Sequence, residues 1–278
     1  MDLISPKIIK DLLSKYETKP SKGLGQNFLI DRNILNKIVD SADIKPEDIV
    51  LEVGPGLGTL TQELAQRAKQ IIAVEKDDTM IEVLKETLKD FNNVEVINTD
   101  ILGYKLQVQN YKVVANIPYY LTSPLIRKFL EDKNQPTEII LMVQKEVAQR
   151  ICSIVPKMNL LAVSVQFYAT PKIISYVSKS CFWPSPNVDS AIIKITPRGP
   201  SSTRGGRAST DSPENFFKVV KAGFSHPRKQ LQNNFGVELK MEKDQVAKWL
   251  MQNNIKPNQR AQTLSIEDWI SLTKTYEF

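Results

Sequence analysis

The first two-thirds of the chain alternates short β-branched and aliphatic runs with segments of helical periodicity. Residues 48–53 (Asp-Ile-Val-Leu-Glu-Val) predict a buried strand, after which Gly54 to Gly58 turns into a helix reaching about residue 69. Residues 71–74 predict a second strand, followed by a helix over 78–88. Three more strands are expected at 94–97, 112–115 and 138–143, with helices starting near Ser123 and Lys145. Such alternation builds a parallel sheet covered by helices on both faces, so the fold class is α/β and Rossmann-like. Residues 163–168 and 173–177 are expected as two further strands at one edge.

The pattern changes after Ile195. Residues 197–213 are rich in Gly, Ser, Thr and Pro, with scarcely an apolar side chain, so 198–212 is expected to be a flexible loop. Beyond it the periodicity is helical, over 215–224, 228–234, 243–252 and 266–274. The expected organisation is an α/β domain over 1–197, whose first 47 residues form a helical extension, and a small all-helical domain over 213–278.

Composition narrows the function classes. A chain of 278 residues with 41% hydrophobic residues can bury a sizeable core. It contains no apolar window near the roughly 18 residues of a membrane helix. The start, Met1-Asp2-Leu3-Ile4-Ser5-Pro6, lacks the basic-then-apolar pattern of a signal peptide. Two cysteines without ligand spacing and a single histidine, His226, argue against a disulfide framework, a metal site and His-based acid–base catalysis. A reducing, cytoplasmic setting and no membrane partner are expected. The net charge of +6 is local: residues 194–240 hold nine basic and three acidic side chains, which is the whole excess. Clustered positive charge suits a polyanion, because neutralised phosphates release counterions.

Candidate chemistry lies at the ends of the expected strands. Glu52-Val53-Gly54-Pro55-Gly56-Leu57-Gly58 leaves a strand and opens a helix, where glycines let a ligand approach the backbone. Glu75, seventeen residues after Gly58, stands where a carboxylate accepts both ribose hydroxyls of an adenosine ligand. Nicotinamide enzymes place an acid likewise, so this pair does not separate hydride from methyl transfer. Asp100, expected at the end of the third strand, can accept from an adenine amino group. Gly54, Glu75, Asp100 and Asn116 then line one carboxyl edge of the sheet.

Asn116-Ile117-Pro118-Tyr119 is the most specific motif. An adenine amino group is a weak nucleophile, because its lone pair is delocalised into the ring. Acceptors aimed at its two N–H bonds, the Asn116 side-chain carbonyl and a backbone carbonyl at Ile117, would pyramidalise it. Pro118 fixes the chain direction and brings no competing N–H. Tyr119 offers a stacking surface for an extruded base, and Phe182 in the Pro-pinned loop 181–190 is expected on its other face. No general base is needed.

These motifs together resemble the ribosomal RNA adenine dimethyltransferase family, on its bacterial small-subunit (16S) branch. The resemblance spans nearly the whole chain, from Gln26-Asn27-Phe28-Leu29 through residues 52–58, Glu75, Asp100, 116–120, 144–150 and 182–190 to Arg260-Ala261. It implies transfer of four methyl groups from S-adenosylmethionine (SAM), leaving S-adenosylhomocysteine and using no metal, to two adjacent adenines near the 3′ end of 16S rRNA. The implied cofactor set is Gln26, Asn27, Leu29, Gly54, Gly56, Glu75, Lys76, Asp100, Ile101 and Asn116. The base would be held by Asn116, Ile117, Pro118, Tyr119 and Phe182. RNA contacts are expected at Lys22, Arg150, Lys221, Arg228 and Lys229, on a monomer acting on the small subunit or its precursor.

The chain departs from the family pattern at His226-Pro227, in the length of the 198–212 loop and at Asn159-Leu160-Leu161-Ala162. Rival readings are the macrolide-resistance type of 23S rRNA methyltransferase and a non-catalytic assembly factor on the same fold. A dehydrogenase fits least, since no catalytic His or Tyr–Lys pair is placed for hydride transfer.

Overall fold

The computed structural model of the protein describes residues 1–21, 23–198 and 212–277. The chain opens with α1 (Pro6–Lys15), β1 (Phe28–Leu29) and α2 (Arg32–Ser41). Next β2 (Ile49–Val53), α3 (Thr59–Ala65), β3 (Gln70–Glu75), α4 (Asp78–Thr87) and β4 (Val94–Asn98) alternate as the periodicity predicts. The alternation continues with β5 (Tyr111–Asn116), α5 (Thr122–Glu131), β6 (Glu138–Gln144) and α6 (Lys145–Ile151). After α7 (Leu160–Tyr168) come β7 (Ala169–Val177), β8 (Phe182–Trp183) and β9 (Ser190–Pro197). The last helices are α8 (Pro213–Phe224), α9 (Leu231–Glu238), α10 (Lys243–Gln252) and α11 (Ile266–Thr275).

Seven strands form one sheet in the order β4-β3-β2-β5-β6-β9-β7. The strands from β4 to β6 are parallel, and β9 runs antiparallel to β6. Central strands are near-continuous apolar runs because both of their faces are covered; Val113, Val114 and Ala115 are fully buried. Strand succession reverses between β2 and β5. In open α/β sheets that reversal opens a crevice beyond the carboxyl ends, because the flanking loops diverge to opposite faces.

Packing divides the chain into two compact units, Met1–Ala148 with Pro171–Pro197, and Gln149–Thr170 with Arg198–Phe278. The second differs from the expected division, since it takes residues 149–170 as well as the C-terminal helices. Its core gathers Met158, Val163 and Phe167 with Phe216, Phe235, Leu250 and Trp269. Gly223 lets α8 and α11 approach closely: a Cβ there would collide with the ring of the fully buried Trp269.

Two expected elements are corrected. Residues 163–168 are not an edge strand but the greater part of α7. The stretch Val-Ser-Val-Gln-Phe-Tyr alternates apolar and polar positions as a strand does, yet context overrides that local signal. Asn159 caps the helix by accepting from the Ala162 N–H at 3.0 Å, and Phe167 stacks on Phe216 at 4.0 Å between centroids. The family departure at 159–162 is thus this helix start. The helix expected over 228–234 begins only at Leu231, because residues 225–230 form a turn. Buried Asn234 pins that turn by donating to the carbonyls of Gly223 and His226.

Candidate active site

One cavity in the sheet-bearing unit collects the cofactor and base residues expected from sequence. Its wall includes Gln26, Asn27, Leu29, Gly54, Gly56, Glu75, Lys76, Asp100, Ile101, Asn116, Ile117, Pro118, Tyr119 and Phe182. Strand ends explain the convergence, because β2, β3 and β5 finish side by side and release Gly54, Lys76 and Ile117 at one edge. Asp100 is the exception: β4 stops at Asn98, so Asp100 stands two residues beyond its strand.

The glycine turn and Glu75 are built together. Gly54 and Gly56 have φ of 67° and 59°, a region that side chains with a Cβ avoid. This conformation turns the Gly56 N–H onto Glu75 Oε2 at 3.1 Å. Glu75 Oε1 accepts from the N–H groups of Lys76 and Asp77 at 2.8 and 2.9 Å. Burial raises the Glu75 pKa, and those three N–H bonds oppose the rise. With Oε1 carrying two donors, the free acceptor capacity lies mainly on Oε2.

Two more carboxyls line the cavity. Asp100 Oδ2 pairs with the Lys76 ammonium at 2.8 Å and Oδ1 accepts from the Leu102 N–H at 2.9 Å, which holds its pKa below the usual value. Glu52, 1% exposed on β2, is different. Burial pushes its pKa up to about 8, the nearby Glu75 charge adds to the rise, and Oε2 has no hydrogen-bond partner among the described residues.

The N-terminal segment and the Pro-pinned loop close the other wall. β1 and β8 pair antiparallel, with Leu29 opposite Phe182, which places both in the cavity lining. Gln26 spans the segment: Oε1 accepts from the Ser21 N–H and Nε2 donates to Asp77 at 2.8 Å each. Its amide is committed to protein at both ends, so Gln26 holds the wall in place. The Asn116 amide nitrogen donates to the Asn27 carbonyl at 3.4 Å, which leaves Oδ1 as its open acceptor. Tyr119 is half-buried, its hydroxyl 2.8 Å from Ser190 Oγ.

Sequence reasoning missed Ser190, Glu52 and Asp77. Ser190 and Asp77 act through partners far along the chain, and no local spacing reports such partners. Glu52 was legible only as a carboxyl inside the otherwise apolar run 49–53.

The expected RNA contacts behave differently. Lys22 lies outside the described residues. Arg150, Lys221, Arg228 and Lys229 are all exposed on the helical unit. The expected basic segment shrinks, because Lys194 pairs with Glu138 at 2.7 Å inside the sheet. Arg198 donates to the Gln166 and Phe167 carbonyls and to Thr170, and Arg204 and Arg207 lie outside the described residues.

A family model described as ribosomal RNA adenine dimethylase matches residues 17–277. The chain belongs to the ribosomal RNA adenine dimethylase family. As a member it is a methyltransferase of the SAM-dependent type acting on ribosomal RNA. It is similar to ribosomal RNA small subunit methyltransferase A of Dehalococcoides mccartyi, at 44% identity over 272 residues, 96% of this chain and 92% of that protein. Among solved structures, a dimethyladenosine transferase from Plasmodium falciparum matches with a TM-score of 0.73 and 30% identity, covering 88% of this chain and 95% of that one. The 23S rRNA methyltransferase ErmE matches with the same TM-score and 27% identity, covering 90% and 99%. The Rossmann-like α/β fold expected from sequence is borne out by the sheet and by these two structural neighbours.

Fit to SAM can be tested on the dimethylase cavity itself. SAM carries a net positive charge, and among the described residues the wall holds the Glu75 and Asp100 carboxylates, a buried Glu52 carboxyl that stays neutral below about pH 8, and Lys76, itself paired with Asp100. Glu75 Oε2 and Glu52 Oε2 retain acceptor capacity, and the left-handed glycines keep side chains out of the turn. The residues fit the cofactor.

Proposed function

We propose that the protein dimethylates the N6 amino groups of two adjacent adenines in a hairpin near the 3′ end of 16S rRNA, within the small ribosomal subunit or its precursor. SAM supplies the electrophilic methyl group. The Asn116 Oδ1 and the Ile117 carbonyl accept the two amino N–H bonds and turn the nitrogen lone pair out of the ring plane. Tyr119, oriented by its tether to Ser190, and Phe182 hold the extruded base, while Glu75 takes the ribose and Asp100 the adenine of the cofactor. The preference for 16S over 23S rRNA rests on one observation: relatives 39–44% identical over nearly the whole chain are named small subunit methyltransferases. The protein acts in the cytoplasm as a monomer, its RNA contacts including Lys22, Arg150, Lys221, Arg228 and Lys229.

The test is primer extension and mass spectrometry of the 16S 3′ fragment from a gene-deleted strain, with and without complementation. Two dimethylated adenines should vanish and return. Unchanged 16S modification, or loss of a 23S modification instead, would overturn the assignment.

The cofactor assignment has its own expected result. Glu75→Ala, in protein shown by circular dichroism to be folded, should weaken SAM binding by about 1.5–3 kcal/mol in calorimetry, the range for a hydrogen bond to a charged group. Unaltered affinity would remove Glu75 from the site.

A further inference from the structure

Tyr120 follows the 116–119 motif directly, and its position is not explained by packing. Tyr119 before it is half-buried and tethered, and Leu121 after it is buried. Tyr120 is 60% exposed, yet it lines the same cavity. Leu102 on that wall is 43% exposed. Scattered exposed apolar side chains need no explanation, but two on the rim of one functional cavity do.

The polar groups near these two side chains are already engaged. Lys76, on the wall that Tyr120 also lines, pairs with Asp100 Oδ2 at 2.8 Å. Lys128 Nζ donates to the carbonyls of Leu102 and Tyr104 at 3.4 and 2.7 Å, which places a second ammonium beside Leu102. A solvent-facing aromatic ring at the mouth of a cavity that takes a base is a platform on which an unpaired neighbouring base stacks. Consecutive bases are joined by one phosphodiester, so an adenine inside the cavity necessarily holds its neighbour at the mouth.

We propose that Tyr120 is a positioning residue for the nucleotide flanking the target adenine, stacking on that base at the rim formed with Leu102. The proposal rests on the reading that the target adenine enters this cavity. For two adjacent target adenines the flanking base differs between the two events, one having the other adenine as neighbour on a given side. Loss of the ring therefore alters the two sites unequally, which a purely structural role would not do.

The experiment uses full-length protein and unmethylated small ribosomal subunits, comparing the parent with Tyr120→Ala and Tyr120→Phe. In Tyr120→Ala the RNA concentration giving half-maximal single-turnover rate should rise about 5- to 150-fold, the range for losing one base–aromatic stack. The ratio of methylation at the two adenines should change, and SAM affinity by calorimetry should not. Tyr120→Phe keeps the ring and should restore both RNA readouts. An unchanged RNA dependence and adenine ratio in Tyr120→Ala would overturn the proposal. So would a parallel loss of SAM affinity, which would make Tyr120 part of the cofactor wall, or a Phe variant as impaired as the Ala variant. If the parent protein methylated 23S rather than 16S rRNA, the substrate reading would fail, and the same comparison run on 23S rRNA would decide the Tyr120 proposal separately.

Discussion

Asn116→Ala should lower the single-turnover rate of methyl transfer by roughly 10²–10³, with RNA and SAM both saturating and the fold intact. That is the range for removing one preorganised polar group from a water-excluded site. The Asn116 amide is oriented before substrate arrives, since its nitrogen donates to the Asn27 carbonyl. Alanine loses the acceptor Oδ1 and this orienting bond together, so the amino lone pair stays conjugated with the ring. Asn116→Asp is the informative companion, because it retains an acceptor oxygen and loses the donor to Asn27. Its rate should fall between those of the parent and the Ala variant. Because the acceptors only orient the amine, the rate should be flat from about pH 6 to 7, where no titration of a reacting side chain is required. An inflection that vanished in Glu52→Gln would have its origin in the buried Glu52 carboxyl. A tenfold rise per pH unit that survived in Glu52→Gln would point to a general base, and full activity in Asn116→Ala would move the reacting centre elsewhere.

The glycine turn and the strand-end residues of this cavity were legible in the sequence because their signals are local. A strand, a glycine turn and a helix are contiguous, and Glu75 and Asn116 sit at the ends of runs that can only be buried strands. What stayed hidden depends on register and on distant partners. Ser190 reaches Tyr119 across 71 residues because β6 and β9 pair Gln144 with Ser190. Gln26 carries the residue type of a ligand contact, yet its amide joins Ser21 to Asp77. Lys194 and Arg198 raise the basic count of their segment, but one is neutralised in the sheet and the other caps carbonyls. Counting charges along the chain cannot tell a footprint from a strut. The α7 segment reverses the usual confusion: its alternation is that of a strand, and only the Asn159 cap and the contact with Phe216 make it a helix.

Glu52 should set how the stability of the free protein changes with pH. Its carboxyl is 1% exposed, and the groups facing it are the Glu75 carboxylate on β3 and the Thr61 hydroxyl on α3. Desolvation therefore favours the neutral acid, with a folded-state pKa of about 8 against an ordinary value of 4.5. The sign follows from proton counting. Between those two values the native state retains a proton that the unfolded chain has released, so unfolding stability falls as pH rises. The contribution is complete below pH 4.5, declines through the interval and is gone above about pH 8. Its full size is on the order of 3–5 kcal/mol, because retaining one proton across that interval is worth about 1.4 kcal/mol for every tenfold change in proton activity. Glu52→Gln is close in shape to the protonated acid and cannot ionise. In urea unfolding without cofactor, the variant should match the parent within about 1 kcal/mol near pH 5 and exceed it by several kcal/mol at pH 9. The same pH slope in both proteins would mean that Glu52 is ionised in the native state at neutral pH. The cavity would then hold a further fixed negative charge before the cationic cofactor arrives.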